Sequence, residues 1–265
     1  MKKFSVSVGI LVGVFLLALA AGCNNQDAEA QAGCVGLPTN SEVKTLLQTA
    51  SGNTGISAEL GGTSCTAGAV SGNGCVGGLF GGTRMWGAVV NQDGEICAFI
   101  TSTDDPRDTI PIGQAIAKAK AYTANSVSTN LFPLSTARLY TLSQPGHSLF
   151  GVNNSNPFNP QFLAPPSGAG GGNGQIAGGI ITFGGGFPLY DSDGQIIGAF
   201  GVSGDTACAD HEIAKRVRDL AGLNPPGGAL ADDIIYIGVD PPSDLAHPVC
   251  DNTVRNGTFI GNEAT

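Results

Sequence analysis

The chain has 265 residues, with 12 Lys and Arg against 21 Asp and Glu, and a net charge of −9, or −11 without Lys2 and Lys3. So acidic a chain, with no basic cluster, is a poor nucleic-acid binder, because phosphate contacts need Lys and Arg. Its 41 glycines are enriched over the usual ~7% but follow no Gly-X-Y period, which excludes collagen and points to a loop-rich globular protein.

Lys2 and Lys3 precede an apolar stretch, Ile10 to Ala21, shorter than the ~20 residues of a membrane span. This pattern is a secretion signal and stands outside the fold. It ends Leu19-Ala20-Ala21-Gly22-Cys23, which resembles a bacterial lipobox with Ala20 where leucine is usual. Residues 1–23 are therefore expected to be a lipoprotein signal peptide, with Cys23 lipidated as the new N-terminus. The alternative is ordinary cleavage and release of a soluble protein. An exported protein, lipid-anchored in the cell envelope, is the expectation. Asn24, rather than Asp, favours the outer membrane if the organism is Gram-negative. Six cysteines remain: Cys34, Cys65, Cys75, Cys97, Cys208 and Cys250. An even set in an exported chain suggests disulfides of open connectivity. The chain has no CxxC, so neither a thioredoxin-like pair nor covalent haem is indicated.

Residues 24–38 read as a flexible tether. Thr39 and Glu42 have capping-box spacing, and Val43, Leu46, Leu47 and Ala50 continue at helical intervals. Residues 51–83 read as a Gly/Ser/Thr-rich insertion. MWGAVVNQDGEICAFI places a polar Asp-Gly turn between apolar runs, a hairpin pattern. Pro111 is expected to open a helix with Ile112, Ala115, Ile116, Ala119, Tyr122, Thr123, Ser126 and Val127 on one face. Lys118 and Lys120 are expected to be solvated. Residues 143–178 read as a second insertion. The stretch around Asp191-Ser192-Asp193-Gly194 repeats the hairpin logic, and a helix from about Ala209 to Leu220 follows. Residues 233–239, DIIYIGV, read as a last edge strand, and 251–265 as a tail. Hairpins join antiparallel neighbours. The predicted fold is therefore α+β: one domain over 39–250 with a central, mainly antiparallel sheet flanked by helices.

Gly198, Gly201 and Gly204 follow the second hairpin. A dinucleotide site needs GxGxxG after a strand of a parallel βαβ unit; here the spacing is GxxGxxG after a hairpin. GVSGD is also not the GxSxG of a nucleophile elbow. The expected role is close packing and a tight strand-to-helix turn.

GGGFPLYDSDGQIIGAFGVSGDTACADHEIAKRV, together with VVNQDGEICAFI and the Lys-Ala helix stretch IGQAIAKAKAYTA (112–124), resembles the HbpS/GlcG-like haem-binding family over roughly 85–225. The resemblance implies a profilin-like α/β/α sandwich, homo-oligomers, and in some members haem or corrinoid binding. Asn91 stands where the family often has Asp, and the arginine after the first hairpin has no clear equivalent.

Axial haem donors are usually His, Met, Cys or Tyr. Of the three histidines, His211 is the leading candidate, at the start of the last helix and within the resemblance. His147, in a QPGHSLFG loop near Phe150 and Phe158, is the second. Either can equally be an ordinary structural or loop histidine; His247 reads as structural. Asp104, Asp105 and Asp108, and the 191–194 turn, read as turns rather than calcium loops, because Val202 stands where an EF-hand needs glutamate. No catalytic constellation or metal cluster stands out. The expected function is an exported small-ligand binder, for haem or a related tetrapyrrole, serving storage, sensing or delivery. The alternatives are an envelope interaction protein that has lost its ligand, and an enzyme acting on a small exported substrate.

Overall fold

The computed structural model describes residues 33–62, 74–159, 161 and 171–263. The signal peptide 1–23, Cys23, most of the tether, Cys65 and the middle of each insertion lie outside the described residues. The end of the expected tether is fixed: Cys34 is disulfide-bonded to Cys97.

Helix α1 spans Asn40–Ala50. Its capping box forms as expected: the Thr39 N–H donates to Glu42 Oε2 at 2.8 Å, and the Glu42 N–H to Thr39 Oγ1 at 3.4 Å. Strands β1 (Trp86–Asn91) and β2 (Ile96–Thr101) make the first hairpin. Strands β3 (Gly186–Tyr190) and β4 (Ile196–Ser203) make the second. Gly94 and Gly194 sit in the turns at φ of 82° and 74°, the left-handed region that glycine enters without a Cβ clash. The hairpins join through antiparallel β1–β4 pairing, from Trp86↔Ser203 to Asn91↔Gly198. The resulting sheet has the order β2-β1-β4-β3.

Three layers result. On one face, α1 and α3 (Ala207–Leu220) bring Val43, Leu47, Ile213, Ala214 and Val217 onto Val89, Phe187, Phe200 and Val202. On the other, α2 (Gly113–Val127) brings Ala117, Ala121 and Ala124 onto Trp86, Ala88, Val90, Phe99 and Ala199. Burial on both faces explains why β1 and β3 are apolar almost throughout rather than alternating.

The face of α2 differs from expectation. Ile112 is 65% exposed, while Ala117, Lys118, Lys120 and Ala121 are buried. The cause lies in β4. A Cβ added at Gly201 would sit 2.1 Å from Ala117 O and 2.4 Å from Ala121 N. The helix backbone rests on this strand, so a side chain on the strand has no room at this point, and backbone contact rather than hydropathy sets the face. Gly198 and Gly204 serve the same kind of contact against the Val90 and Arg84 carbonyls.

Residues 233–239 do not form a strand. Only Tyr236 bridges, to His247. Instead β5 (Thr253–Arg255) and β6 (Thr258–Gly261) make a separate hairpin from the expected tail. Cys208–Cys250 ties the stretch before it to α3. The first insertion is also integrated: the Arg216 guanidinium, fully buried, donates to the carbonyls of Ala50, Gly52, Leu60 and Cys75 at 2.9–3.2 Å.

Candidate functional site

Charged residues of α3 meet the wrapping segment 229–256: Lys215 reaches Asp233 and Asn256, and Arg218 reaches Asp232 and Ala229 O. Asp210, in the first turn, accepts from Lys120 Nζ at 2.6 Å, and Lys120 also donates to Val202 O at 2.8 Å. Both side chains are buried. Burial raises the Asp210 carboxyl to about 6 although the ammonium opposes this. Burial also lowers the Lys120 ammonium. Desolvation thus outweighs the Coulomb attraction in both partners.

One turn further, Lys215 Nζ donates to Glu212 Oε1, Asp233 Oδ1 and Asn256 Oδ1, each at 2.7 Å. Burial alone would raise Asp233. The Lys215 ammonium and the hydrogen bond from His211 instead hold it well below the ordinary carboxylate range. His211 is fully buried and tilted against Phe187, with centroids 4.5 Å apart. Burial lowers its pKa, so the ring is neutral. Its Nε2 lies 3.1 Å from Asp233 Oδ1 and 3.1 Å from the Ile234 nitrogen, and Nδ1 has no hydrogen-bond partner among the described residues. Nε2 thus faces both an acceptor, the Asp233 carboxylate, and a donor, the Ile234 N–H, which also donates to Asp233 Oδ1 at 2.9 Å.

Asp233 is the outer end of this network. It borders a pocket of about 600 Å³ lined also by Arg138, Ile235, Asp240, Arg255 and Asn256. Arg138 Nε donates to Asp233 O at 3.0 Å, and Arg255 Nη1 to Asp240 Oδ2 at 2.6 Å. Such a rim suits the polar or anionic edge of a ligand. Sequence reading missed Arg138, Lys215, Asp233 and Arg255. The available clue was the density of charge on α3 in a chain with only 12% charged residues.

The two expected site histidines are not brought together. His211 is committed to the interior. His147 is exposed, in the loop after a short 3-10 turn, where its N–H donates to Gln144 O at 3.1 Å and its C=O accepts from Phe150 N at 3.2 Å. No side-chain bond engages its imidazole among the described residues. Phe150, 65% exposed, stands beside it in sequence, and Leu149 and Phe158 are also exposed. His247 is buried and packs against Tyr140. The acidic stretches are turns, as expected: Asp105 caps Arg107, Asp104 pairs with Lys44, and Asp191 Oδ1 accepts from Asp193 N and Gln195 N.

Lys118 corrects the expectation of a solvated side chain. It is 3% exposed, its Nζ lies 3.9 Å from the centroid of Phe99, and it has no hydrogen-bond partner among the described residues. Burial lowers it to about 8.

Comparison with known proteins gives the family. The relative PduO of Salmonella typhimurium, a corrinoid adenosyltransferase, is 28% identical over 117 residues, 44% of this chain and 26% of PduO. The chain thus matches about a quarter of that relative's length. Protein ORFY of Klebsiella pneumoniae is 25% identical, over 54% of this chain and 77% of its own, with a TM-score of 0.39. The structure titled as a PduOC:haem complex is 24% identical, over 54% of this chain and 81% of its own, also at 0.39. The family described as "Haem degrading protein HbpS-like" matches residues 81–219, just over half of the chain. That span holds all four strands of the main sheet, α2 and nearly all of α3, and the chain belongs to this HbpS-like family.

Proposed function

We propose that this chain is an exported, lipid-anchored protein that binds haem or a related tetrapyrrole, for storage, sensing or delivery. Family membership supports the ligand class, and the corrinoid named for PduO has a related macrocycle. The observation that carries the reading is the state of the histidines. The described cysteines are in disulfides, and His211 and His247 are buried. His147 offers an exposed imidazole with Leu149, Phe150 and Phe158 exposed in the same loop region. Imidazole is a common axial donor, and aromatic side chains suit the face of a flat macrocycle. Bound haem would supply its redox-active iron; the chain would hold the iron through His147 Nε2 or Nδ1 and cover part of the ring with the phenylalanines.

Haem titration followed by visible absorbance tests this. A saturable Soret shift that His147→Ala weakens supports the reading; a shift unaffected by that change removes His147 as the donor. No saturable shift removes haem. Lipid anchoring is tested by palmitate labelling that Cys23→Ser abolishes. Exposed Leu131 and Phe132, at 95% and 53%, favour a second reading, an envelope interaction protein without a ligand. The same residues suit a homo-oligomer contact, tested by sedimentation velocity on Leu131→Asp.

A further inference from the structure

We infer that Cys208, His247 and Cys250 form a thiophilic metal site, masked by the Cys208–Cys250 disulfide and opened by its reduction. Ligand atoms of the three residues all lie within 4.8 Å of one another. In a zinc site, bonds of ~2.0–2.3 Å place ligand atoms roughly 3.3–3.8 Å apart. Shifts of about 1 Å therefore bring these three onto one ion.

Four features of the surroundings suit ligation. His247 Nδ1 lies 2.7 Å from Pro248 O. Donation to that carbonyl fixes the tautomer and leaves the Nε2 lone pair for a metal, the usual outer-shell arrangement of ligating histidines. Among the described residues that lone pair accepts one long hydrogen bond, from the Gly184 N–H at 3.4 Å, which a metal would displace. Cys208 lies in the first turn of α3, behind the Thr206 N-cap, where the helix dipole favours a thiolate. The Cys208 N–H points at Cys250 Sγ from 3.2 Å, as backbone donors do at thiolate ligands. Ala137, Ile234 and Tyr236 pack around Cys208 as an apolar cluster, which limits water access. Two thiolates and one imidazole select a soft or borderline ion such as Zn²⁺.

The chemistry balances with a dithiol reductant. Its thiolate attacks one sulfur of Cys208–Cys250, and the mixed disulfide then closes to the reductant's own disulfide. Two protein thiols are left. Zn²⁺ displaces their two protons and takes His247 as third ligand. A small-molecule disulfide reverses the sequence: it is reduced to two thiols as Cys208–Cys250 re-forms, and the ion is expelled.

The test treats the full chain with a water-soluble phosphine, which becomes its oxide as the disulfide becomes two thiols. Zinc is then added, the chain desalted and the metal counted. One Zn²⁺ per reduced chain and none per oxidised chain is expected. Cobalt in its place should give a sulfur-to-cobalt charge-transfer band. His247→Ala should weaken zinc binding by at least about tenfold, and Cys34→Ser with Cys97→Ser should leave it unchanged. The inference is overturned if the reduced, folded chain takes up no zinc, or if Cys208→Ser with Cys250→Ser retains it. It is equally overturned if circular dichroism shows that reducing this bond unfolds the chain.

Discussion

Lys120 and Asp210 hold one another in the interior, ammonium to carboxylate at 2.6 Å, with side-chain exposures of 0% and 2%. Lys120 belongs to α2 and Asp210 to α3, so the pair ties together the helices on opposite faces of the sheet past the C-terminal end of β4, where Lys120 also meets Val202 O. Removing one member of a buried pair strands the other, at about 3–5 kcal/mol. Asp210→Asn should therefore lower unfolding stability by about 3 kcal/mol, read as the urea midpoint. Lys120→Met combined with Asp210→Asn should recover at least half of that loss. If the double variant is no better than the single one, the stranded charge is not the cause.

Lys118, two residues before Lys120, has no such partner among the described residues. Burial holds it at about 8, against an ordinary value of 10.5. This gap sets the sign of a pH dependence. The unfolded chain keeps its proton up to about 10.5, the native state only to about 8. The stability tied to a neutral Lys118 is thus present above about 10.5 and is lost as pH falls through 8. The gap corresponds to about 3 kcal/mol, partly offset by the Phe99 ring beneath the ammonium. Lys118→Met should therefore stabilise the chain by about 1–3 kcal/mol at pH 7 and by little near pH 10.5. Denaturation at both pH values decides it; an equal effect at both would mean packing, not charge.

Gly201 sets how close α2 lies to the sheet. Gly201→Ala puts a methyl group into the backbone of Ala117 and Ala121, atoms that cannot rotate away. Overpacking of this kind costs about 1–3 kcal/mol, and more where backbone must shift. A thermal midpoint unchanged in Gly201→Ala would show that the helix can slide outward freely.

These three cases mark how far the sequence could be read. The Thr39 capping box and both Asp-Gly turns were legible because each is local: a few adjacent residues supply the whole geometry. The three-layer sandwich followed from the hairpins and the family resemblance. The β1–β4 pairing that unites the hairpins joins residues more than a hundred positions apart, and no local pattern announces it. Hydropathy placed Ile112 inward and the lysines outward. The close approach of the α2 backbone to the bare backbone of Gly201 turns that face of the helix inward, and Lys120 goes in with it to pair with Asp210. DIIYIGV has the composition of a strand, yet only Tyr236 finds a bridging partner, and the segment wraps α3 instead. At the candidate site, the positions of His147 and His211 in the chain were visible but their environments were not. Asp233, 22 residues on, is what draws His211 inward.

That difference in environment makes the two histidines separable by experiment. His147 is exposed and its imidazole bonds to nothing among the described residues, so His147→Ala should leave the urea midpoint within the ~0.5 kcal/mol typical of surface changes. Its haem affinity should fall by about tenfold or more. Phe150→Ala should lower affinity less, because it removes ring contact but not the donor. His211→Ala should behave oppositely. It removes a buried ring packed on Phe187 and leaves Asp233 with Lys215 and Asn256 as its side-chain partners, which should cost about 2–4 kcal/mol. With the chain kept folded at low temperature, its Soret titration should match wild type. A haem spectrum lost in His211→Ala but kept in His147→Ala, with both proteins folded, would place the ligand in the interior beside Asp233.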